Sequence, residues 1–304
     1  MGSPKVAVPY LEALIQSKYN VVAVYSQPAR PIGRGLNLQK NSVHVVAENN
    51  NIQVFTPNKL DNYEEIKNLE NLKIDIAVVM GYGNILPKNV LKLTKFGFVN
   101  IHLSLLPEFR GASPIEYALL NGKKETGVTI FKIIEKLDAG PIIINKKFFI
   151  NNSINKDELE KKLNILGVDL LLKALPKYLK GELELQKQDE IKASYSKKIN
   201  SNETQIDFFQ PTHNVYNKIR AFSPKPGAWF EYNNERFKIL SCLVSEEKGE
   251  SSTILNKNFT LGCLDKSIQP LIIQREGKKT MRIEDFIRGF KFSINDKIKY
   301  NDKI

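Results

Sequence analysis

The sequence predicts an α/β fold built on a doubly wound parallel sheet, followed by a smaller β-rich domain. Up to residue 150, short apolar runs rich in β-branched residues alternate with helix-like stretches, as is typical of parallel strands buried on both faces. From residue 194 onward the apolar runs are short and are interrupted by Gly, Asn and Lys, which favours a small barrel. The 304 residues allow about two domains of ordinary size.

The elements of the first part follow from hydrophobic periodicity. Helices are predicted over 9–15 and 43–48, and strands over 21–25, 74–80, 98–101, 129–134 and 142–150. A longer helix begins after Asn155, because Glu158 three residues later completes a capping signal. This helix ends before Gly181, and its core face is predicted to carry Leu159, Leu163, Leu166, Leu170 and Ala174.

The domain boundaries are predicted from the change of pattern. The first domain covers 1–181, a polar linker covers 182–193, and the second domain covers 194–304. Apolar runs at 237–243, 259–264 and 271–273 predict strands of the second domain, with Trp229 in its core.

Composition limits the class of protein. The excess of 45 Lys and Arg over 33 Asp and Glu gives a formal charge of +12 and favours a polyanionic partner such as RNA, although a lysine-rich proteome produces the same excess. Cys242 and Cys263 lack metal-like spacing, so a reduced cytosolic protein is expected. No signal peptide and no membrane span of ~18 to 20 apolar residues is predicted.

The predicted strand at 98–101 leads into a candidate catalytic pair. Asn100 and His102 are two residues apart, so both point to the same side of a strand or its end. The Asn100 amide is suited to donate to an oxyanion, and an imidazole accepts protons near neutral pH. This pair therefore favours acyl transfer to an amine, for which no metal is required.

Asp138 completes the candidate set, since a nearby carboxylate stabilises an imidazolium and holds the ring in one tautomer. The alternative is structural: His102 ends a strand and bonds to backbone, and Asn100 forms a turn. An isolated Asn-x-His pattern does not decide between the two interpretations.

Longer motifs surround the three candidate residues: the segment 100–111 is followed by Thr-Gly-Val-Thr at 126–129 and by Leu-Asp-Ala-Gly at 137–140. Together they resemble a known family, the folate-dependent formyltransferases, and within it those that act on methionyl-tRNA. The resemblance extends nearly end to end, through the segments 1–4, 27–35, 81–87, 195–199, 206–208 and 219–228.

The resemblance implies a Rossmann-like first domain, an OB-like barrel as the second, and a monomeric cytoplasmic enzyme of bacterial or organellar type. The implied reaction transfers the formyl group of 10-formyltetrahydrofolate to the α-amino group of methionine on initiator tRNA. By match to the family motif, Asn100, His102 and Asp138 are the catalytic residues. The folate-contacting residues would be Ser104, Leu105, Leu106, Pro107, Tyr82, Gly83, Ile85 and Leu86.

Two basic segments are candidates for contact with tRNA. The loop 27–40 is predicted to be flexible and exposed, and the resemblance makes it enter the acceptor stem, with Arg34 as the main contact and Arg30 and Lys40 beside it. Ala29 and the pair at 36–37 depart from the family pattern, which puts the strength of this contact in doubt. The alternative is a solvated surface loop.

In the second domain, basic residues interleaved with aromatic ones favour an RNA-binding face that includes Lys198 and Arg220. The segment 220–226 is equally compatible with a rigid turn that docks the barrel on the first domain.

Several alternatives stay open at this point. A sugar-amine or glycinamide ribonucleotide formyltransferase would use the same three residues, and a formyltetrahydrofolate hydrolase would use water in place of the amine. A non-catalytic RNA-binding relative is the other class. The chain begins at the turn of Gly2, Ser3 and Pro4, which follows the first strand in the family, so Met1 is expected to be internal to a longer coding sequence.

Overall fold

A computed structural model describes residues 1–32 and 37–300, and its first half alternates strands and helices as the sequence predicts. The helices are α1 (Val8–Ile15), α2 (Ser42–Asn49), α3 (Tyr63–Asn71), α4 (Pro114–Leu120), α5 (Lys156–Leu179), α6 (Thr212–Phe222) and α7 (Ile283–Gly289). The strands are β1 (Ala23–Tyr25), β2 (Arg30–Ile32), β3 (Asn37–Gln39), β4 (Gln53–Phe55), β5 (Ala77–Val79), β6 (Phe98–His102), β7 (Arg110–Gly111), β8 (Glu125–Lys132), β9 (Ile142–Phe149), β10 (Tyr195–Ser196), β11 (Ala228–Tyr232), β12 (Glu235–Ser245), β13 (Leu261–Gly262), β14 (Ser267–Arg275) and β15 (Thr280–Arg282).

The chain forms two units. The first contains Met1–Gly111, Thr126–Phe148 and Glu160–Tyr195, and the second contains Ala112–Glu125, Phe149–Leu159 and the chain from Ser196 onward. In the described residues, no helix is long and apolar enough to cross a membrane.

The first unit contains two parallel strand pairs, β1 with β4 and β5 with β6. The prediction of a wholly parallel sheet is wrong beyond β6, because β8 runs antiparallel to β6 and β9 continues the sheet beyond β8. A parallel neighbour requires a crossover connection that covers the sheet, usually a helix. The helix between β6 and β8 is α4, which belongs to the second unit.

The first two residues join the two parallel pairs. Gly2 N donates to the carbonyl of Tyr25 at 2.9 Å, and Met80 N donates to the carbonyl of Met1 at 2.9 Å. A Cβ atom on Gly2 would lie 2.7 Å from the Met80 carbonyl oxygen, so the backbones can approach this closely only at a glycine.

Helix α5 follows the predicted pattern. The Asn155 side chain accepts from Glu158 N at 3.0 Å, and the Glu158 side chain accepts from Asn155 N at 3.2 Å, which is the predicted capping pair. Gly181 has a φ of +74°, as a glycine after a helix end commonly has. Of the predicted core face, Leu159, Leu163, Leu170 and Ala174 are buried.

The second unit contains a five-stranded antiparallel sheet in the order β11, β12, β14, β13, with β15 paired to β14. Its core is aromatic and consists of fully buried rings of Phe208, Phe230, Phe237, Phe259 and Phe286. The β-rich character is confirmed, but α6 was not predicted. This helix packs Val215, Ile219 and Phe222 inward at helical spacing.

Trp229 on β11 lies in the core of this unit, as predicted. Its indole N–H donates to the carbonyl of Ser201 at 3.3 Å, and the guanidinium carbon of Arg236 lies 3.9 Å from the ring centroid. Cys242 and Cys263 are both free and buried, and burial raises the pKa of each thiol.

Candidate active site

Strand β6 presents the candidate catalytic pair. Asn100 lies opposite Phe131 of β8, and His102 lies opposite Thr129. Side chains two apart on a strand share a face, so Asn100 and His102 point the same way. The alternate residues Val99 and Ile101 are buried in the core, which anchors the strand.

The His102 ring is held by a backbone carbonyl. Its Nε2 lies 2.8 Å from the carbonyl oxygen of Phe109, an acceptor only, so Nε2 carries the proton in the neutral ring. The Nδ1 atom is then the basic nitrogen. The tautomer is therefore set by Phe109 and not, as the sequence analysis expects, by Asp138.

Asp138 faces that basic nitrogen. Its Oδ2 atom lies 3.8 Å from His102 Nδ1, which is too long for a hydrogen bond but close enough for a charge to act. The same oxygen accepts from Gly111 N at 2.8 Å. Asp138 is therefore placed to stabilise the imidazolium once Nδ1 has accepted a proton.

The backbone of Asp138 is held in an uncommon conformation. Its φ is +46°, in the left-handed region that aspartate tolerates better than most residues. The side-chain amide of Gln188 donates to the carbonyl of Asp138 at 2.8 Å and to that of Gly140 at 2.7 Å. These two bonds fix the turn from which the carboxylate projects.

Gln188 is itself held by Arg110, whose side chain is 0% exposed. The guanidinium donates to Gln188 Oε1 at 2.8 and 3.1 Å and to both Glu190 oxygens at 2.9 and 3.1 Å. Lys136 also donates to Glu190, at 2.6 Å. These cations hold the pKa of Glu190 at about 2, the hydrogen bond from Arg110 being the largest cause.

We call Arg110, Gln188, Glu190 and Lys136 the Arg110 cluster. Sequence analysis missed Gln188 and Glu190, which lie in the segment 182–193 that it assigns to a polar linker. Gln188 is 4% exposed, so this segment packs into the first unit and is not merely a connection between domains. No local motif marks it, because its partner Asp138 is 50 residues away along the chain.

The side-chain amide of Asn100 is half-buried and makes no hydrogen bond to the part of the chain that the structure describes. On the same face of β6 as His102, it is available to donate to a bound oxygen.

The loop after β6 is fixed by internal hydrogen bonds. Thr129 Oγ1 donates to the Ser104 carbonyl at 2.7 Å and accepts from Leu106 N at 3.1 Å, while Ser104 Oγ donates to the Glu108 carbonyl at 2.6 Å. Ser104 and Leu106 are buried, and Leu105 and Pro107 are partly exposed. The predicted contact of these four residues with folate stays a prediction.

The second predicted folate segment follows β5. Tyr82 and Leu86 are buried and anchor it, and burial raises the pKa of Tyr82 to about 12. Between them the Ile85 side chain is 87% exposed. No hydrogen bond joins the backbone of Gly83 or Ile85 to the rest of the described chain.

The described part of the loop 27–40 is a hairpin. Strands β2 and β3 pair antiparallel, so the prediction of a flexible loop is wrong for 30–32 and 37–39. Arg30 is exposed, and Lys40 is exposed and donates to Glu48 at 2.7 Å. Arg34 lies outside the described residues.

The two candidate RNA contacts of the second unit differ in exposure. Lys198 is exposed, whereas Arg220 is 8% exposed. Among the residues described, no group of three or more His, Cys, Asp or Glu side chains is arranged to hold a metal ion.

Comparison with known proteins identifies the family. Residues 1–175 match the family model Formyl transferase, and residues 198–291 match Formyl transferase, C-terminal domain. The methionyl-tRNA formyltransferase of Brucella melitensis is 40% identical over 294 residues, which are 95% of this chain and 96% of that protein. The methionyl-tRNA formyltransferase of Pelagibacter ubique is 38% identical over 291 residues, 95% of this chain and 94% of that protein.

A solved structure shares the fold. The N-formyltransferase from Helicobacter canadensis, in complex with folinic acid and dTDP-3-aminofucose, aligns with a TM-score of 0.67 and 24% identity over 90% of this chain and 97% of that chain. On the sequence matches, this chain belongs to the formyltransferase family, among the methionyl-tRNA formyltransferases.

Proposed function

We propose that this chain transfers the formyl group of 10-formyltetrahydrofolate to the α-amino group of methionine on initiator tRNA, giving N-formylmethionyl-tRNA. The observation that carries the choice of acceptor is the 40% identity, over 95% of the chain, to a methionyl-tRNA formyltransferase. The reaction is a direct acyl transfer with no covalent enzyme intermediate.

The donor, when bound, supplies an activated formyl carbon. The two segments that would hold it fit a flat heterocycle: the backbone at Gly83 and Ile85 makes no hydrogen bond within the described residues, and the exposed Ile85 side chain offers apolar surface. We assign Tyr82, Gly83, Ile85 and Leu86 and the loop Ser104, Leu105, Leu106 and Pro107 to this role.

His102 accepts the proton that the attacking amine loses when the new C–N bond forms. Its Nδ1 atom is the basic nitrogen because Phe109 holds the Nε2 proton. The Asn100 amide donates to the formyl oxygen as negative charge develops there. Asp138, 3.8 Å from Nδ1, stabilises the imidazolium until the proton moves to the departing donor nitrogen.

We assign tRNA contacts to Arg30, Arg34 and Lys40 of the first unit and to Lys198 and Arg220 of the second. The formal charge of +12 supports a polyanionic substrate. We also propose a monomer in the cytoplasm, where charged tRNA is available.

We further propose that the antiparallel sheet closes as an OB-like barrel. A register shift in β12 between Ile239 and Ser241 supports this, because bulges bend the strands of barrels. The proposed boundaries are 1–181, 182–193 and 194–304, and the family matches at 1–175 and 198–291 support them.

The test is formylation of methionyl initiator tRNA by the purified chain with 10-formyltetrahydrofolate, followed on acid gels or by mass. Elongator methionyl-tRNA and a dTDP-amino sugar are the control acceptors. We expect formylation of the initiator tRNA, and turnover of the amino sugar alone would contradict the proposal.

A further inference from the structure

A cavity of about 830 Å³ lies in the second unit, bounded by the turn after α4, the loop at Asn152 and one face of α6. Its polar lining includes Lys124, His213 and Arg220 together with several asparagine side chains. None of its lining residues is an aspartate or a glutamate. The cavity therefore presents donors and positive charge without compensating carboxylates.

Arg220 is the most constrained of these groups, because it is 8% exposed. Its Nε atom donates to Asn217 Oδ1 at 2.9 Å, and Nη1 lies 3.5 Å from the Asn151 carbonyl oxygen. No carboxylate in the described chain lies within ion-pair distance of it. Burial lowers the pKa of Arg220. Its guanidinium carbon lies 5.8 Å from the centroid of the Tyr216 ring, an aromatic contact that supplies no full negative charge.

A buried guanidinium whose partners in the described residues are neutral gains further stabilisation when a ligand supplies an anion. Arg220 has donor groups left over, since Nη2 makes no hydrogen bond within the described residues. Arg220 lines the cavity, so a group bound there would lie beside this side chain.

Lys124 extends the basic surface. Its Nζ atom donates to Asn152 Oδ1 at 3.0 Å and has no acidic partner among the described residues. The turn before Lys124 packs closely on α6. A Cβ atom added to Gly122 would lie 2.9 Å from Asn217 Nδ2. Lys124 and Arg220 thus each donate a hydrogen bond to the side-chain oxygen of a neighbouring asparagine.

One wall of the cavity is apolar. Leu243 and Val244 of β12 line it with exposed side chains. A lining that combines cationic donors with apolar side chains suits a phosphate that carries a sugar, as a nucleic-acid backbone does.

We propose that this cavity binds a backbone phosphate of the tRNA substrate, with Arg220, Lys124 and His213 as its donors. This inference rests on the proposed function and adds a defined phosphate position to it. A single bound phosphate with two or three charged or polar donors would contribute to affinity for every tRNA sequence equally.

The test compares Lys124→Gln with Lys248→Gln, which removes the same charge from an exposed lysine outside the cavity. For Lys124→Gln we expect the KM for methionyl-tRNA to rise about tenfold and the slope of log affinity against log salt to weaken by about 1. The kcat and the KM for the formyl donor should stay unchanged, as should all constants of Lys248→Gln.

Two further variants extend the test. Arg220→Met should weaken tRNA binding more than Arg220→Lys, which keeps the charge but loses the fork of donors. If Arg220→Met does not fold, the KM for methionyl-tRNA of Lys124→Gln and of His213→Gln tests the proposal instead. An equal KM for tRNA in Lys124→Gln and Lys248→Gln overturns the proposal.

The source of the phosphate is tested with inorganic phosphate, followed by the His213 ring resonances of the wild-type protein. Inorganic phosphate that shifts these resonances and competes with tRNA supports the proposal. Phosphate binding together with an unchanged tRNA KM in the variants means a free small anion and overturns it. A wild-type protein without formyl transfer to tRNA would instead refute the proposed function.

Discussion

The side-chain amide of Gln188 donates to the backbone carbonyl of Asp138 at 2.8 Å. The oxygen of the same amide accepts from the buried guanidinium of Arg110 at 2.8 Å. A side-chain amide both accepts and donates hydrogen bonds, so Gln188 connects the buried cation to the turn that carries Asp138. Positioning of the candidate catalytic carboxylate thus depends on a residue outside the catalytic motif.

Replacing Gln188 by Glu should slow the reaction without unfolding the protein. The new carboxylate still accepts from Arg110, but it cannot donate to the carbonyls of Asp138 and Gly140. We expect kcat to fall about 10- to 100-fold with little change in either KM, because a small displacement of Asp138 is costly. Steady-state kinetics and the pH profile of kcat measure this.

Gln186→Glu is the matched control for that experiment, since it makes the same change at an exposed position in the same segment. Equal rates for the two variants would show that Gln188 does not position Asp138.

Replacing His102 by Ala should abolish turnover, with a loss of about 100- to 10,000-fold in single-turnover formylation. Binding of the folate donor and of tRNA should be largely retained, because the one hydrogen bond of the His102 ring within the described residues is to the Phe109 carbonyl, and the ring faces Asp138. His44→Ala, a change on α2, should formylate normally. Single-turnover formylation near the wild-type rate in His102→Ala would refute its assignment.

The ion pair of Glu190 predicts a pH dependence of stability. Its folded-state pKa is about 2, below the free value of 4.5, so its ionised form stabilises the fold above pH 4.5. That stabilisation is lost as the pH falls from 4.5 toward 2. The free energies of unfolding of wild type and Glu190→Gln, measured with urea, should therefore converge as the pH falls through this range. A difference between them that stays constant with pH would contradict the prediction.

Gly167→Ala should destabilise the first unit. The new Cβ would lie 2.2 Å from Tyr10 Oη, and the Tyr10 side chain is 2% exposed. Overpacking of this kind costs about 1 to 3 kcal/mol, which thermal or urea unfolding measures. Gly289→Ala at the end of α7 meets nothing within 4 Å and should be neutral or slightly stabilising.

Arg34→Ala should impair the use of tRNA more than the use of folate. This prediction rests on the family resemblance of the segment 27–35, since residues 33–36 are outside the described part of the chain. We expect a higher KM for methionyl-tRNA with an unchanged KM for the formyl donor. An unchanged dependence of rate on tRNA concentration would count against it.

Periodicity predicted most of the first unit because its strands and helices bury their apolar faces in regular patterns. The capping pair of Asn155 and Glu158 even marked where α5 begins. Strand direction was not predictable in the same way, because a buried apolar run has the same local pattern whether its neighbour is parallel, as β5 is to β6, or antiparallel, as β8 is. Helix α6 was missed although Val215, Ile219 and Phe222 recur at helical spacing, because neighbouring apolar runs favoured strands.

In the candidate site, too, local features were predicted from the sequence and long-range contacts were not. Asn100 and His102 are close in sequence, so the strand pattern placed them on one face. The tautomer of His102 depends on the Phe109 carbonyl, and the conformation of Asp138 depends on Gln188. Such contacts are formed by the folded backbone, and no residue type or spacing predicts them.

The single tryptophan, Trp229, sits in the antiparallel sheet beneath the guanidinium of Arg236. Its fluorescence therefore follows the unfolding of the second unit and does not register that of the first. Circular dichroism detects both units together. The difference between the melting curve followed by Trp229 fluorescence and the one followed by circular dichroism will measure, without any label, how far the two units of this enzyme unfold independently.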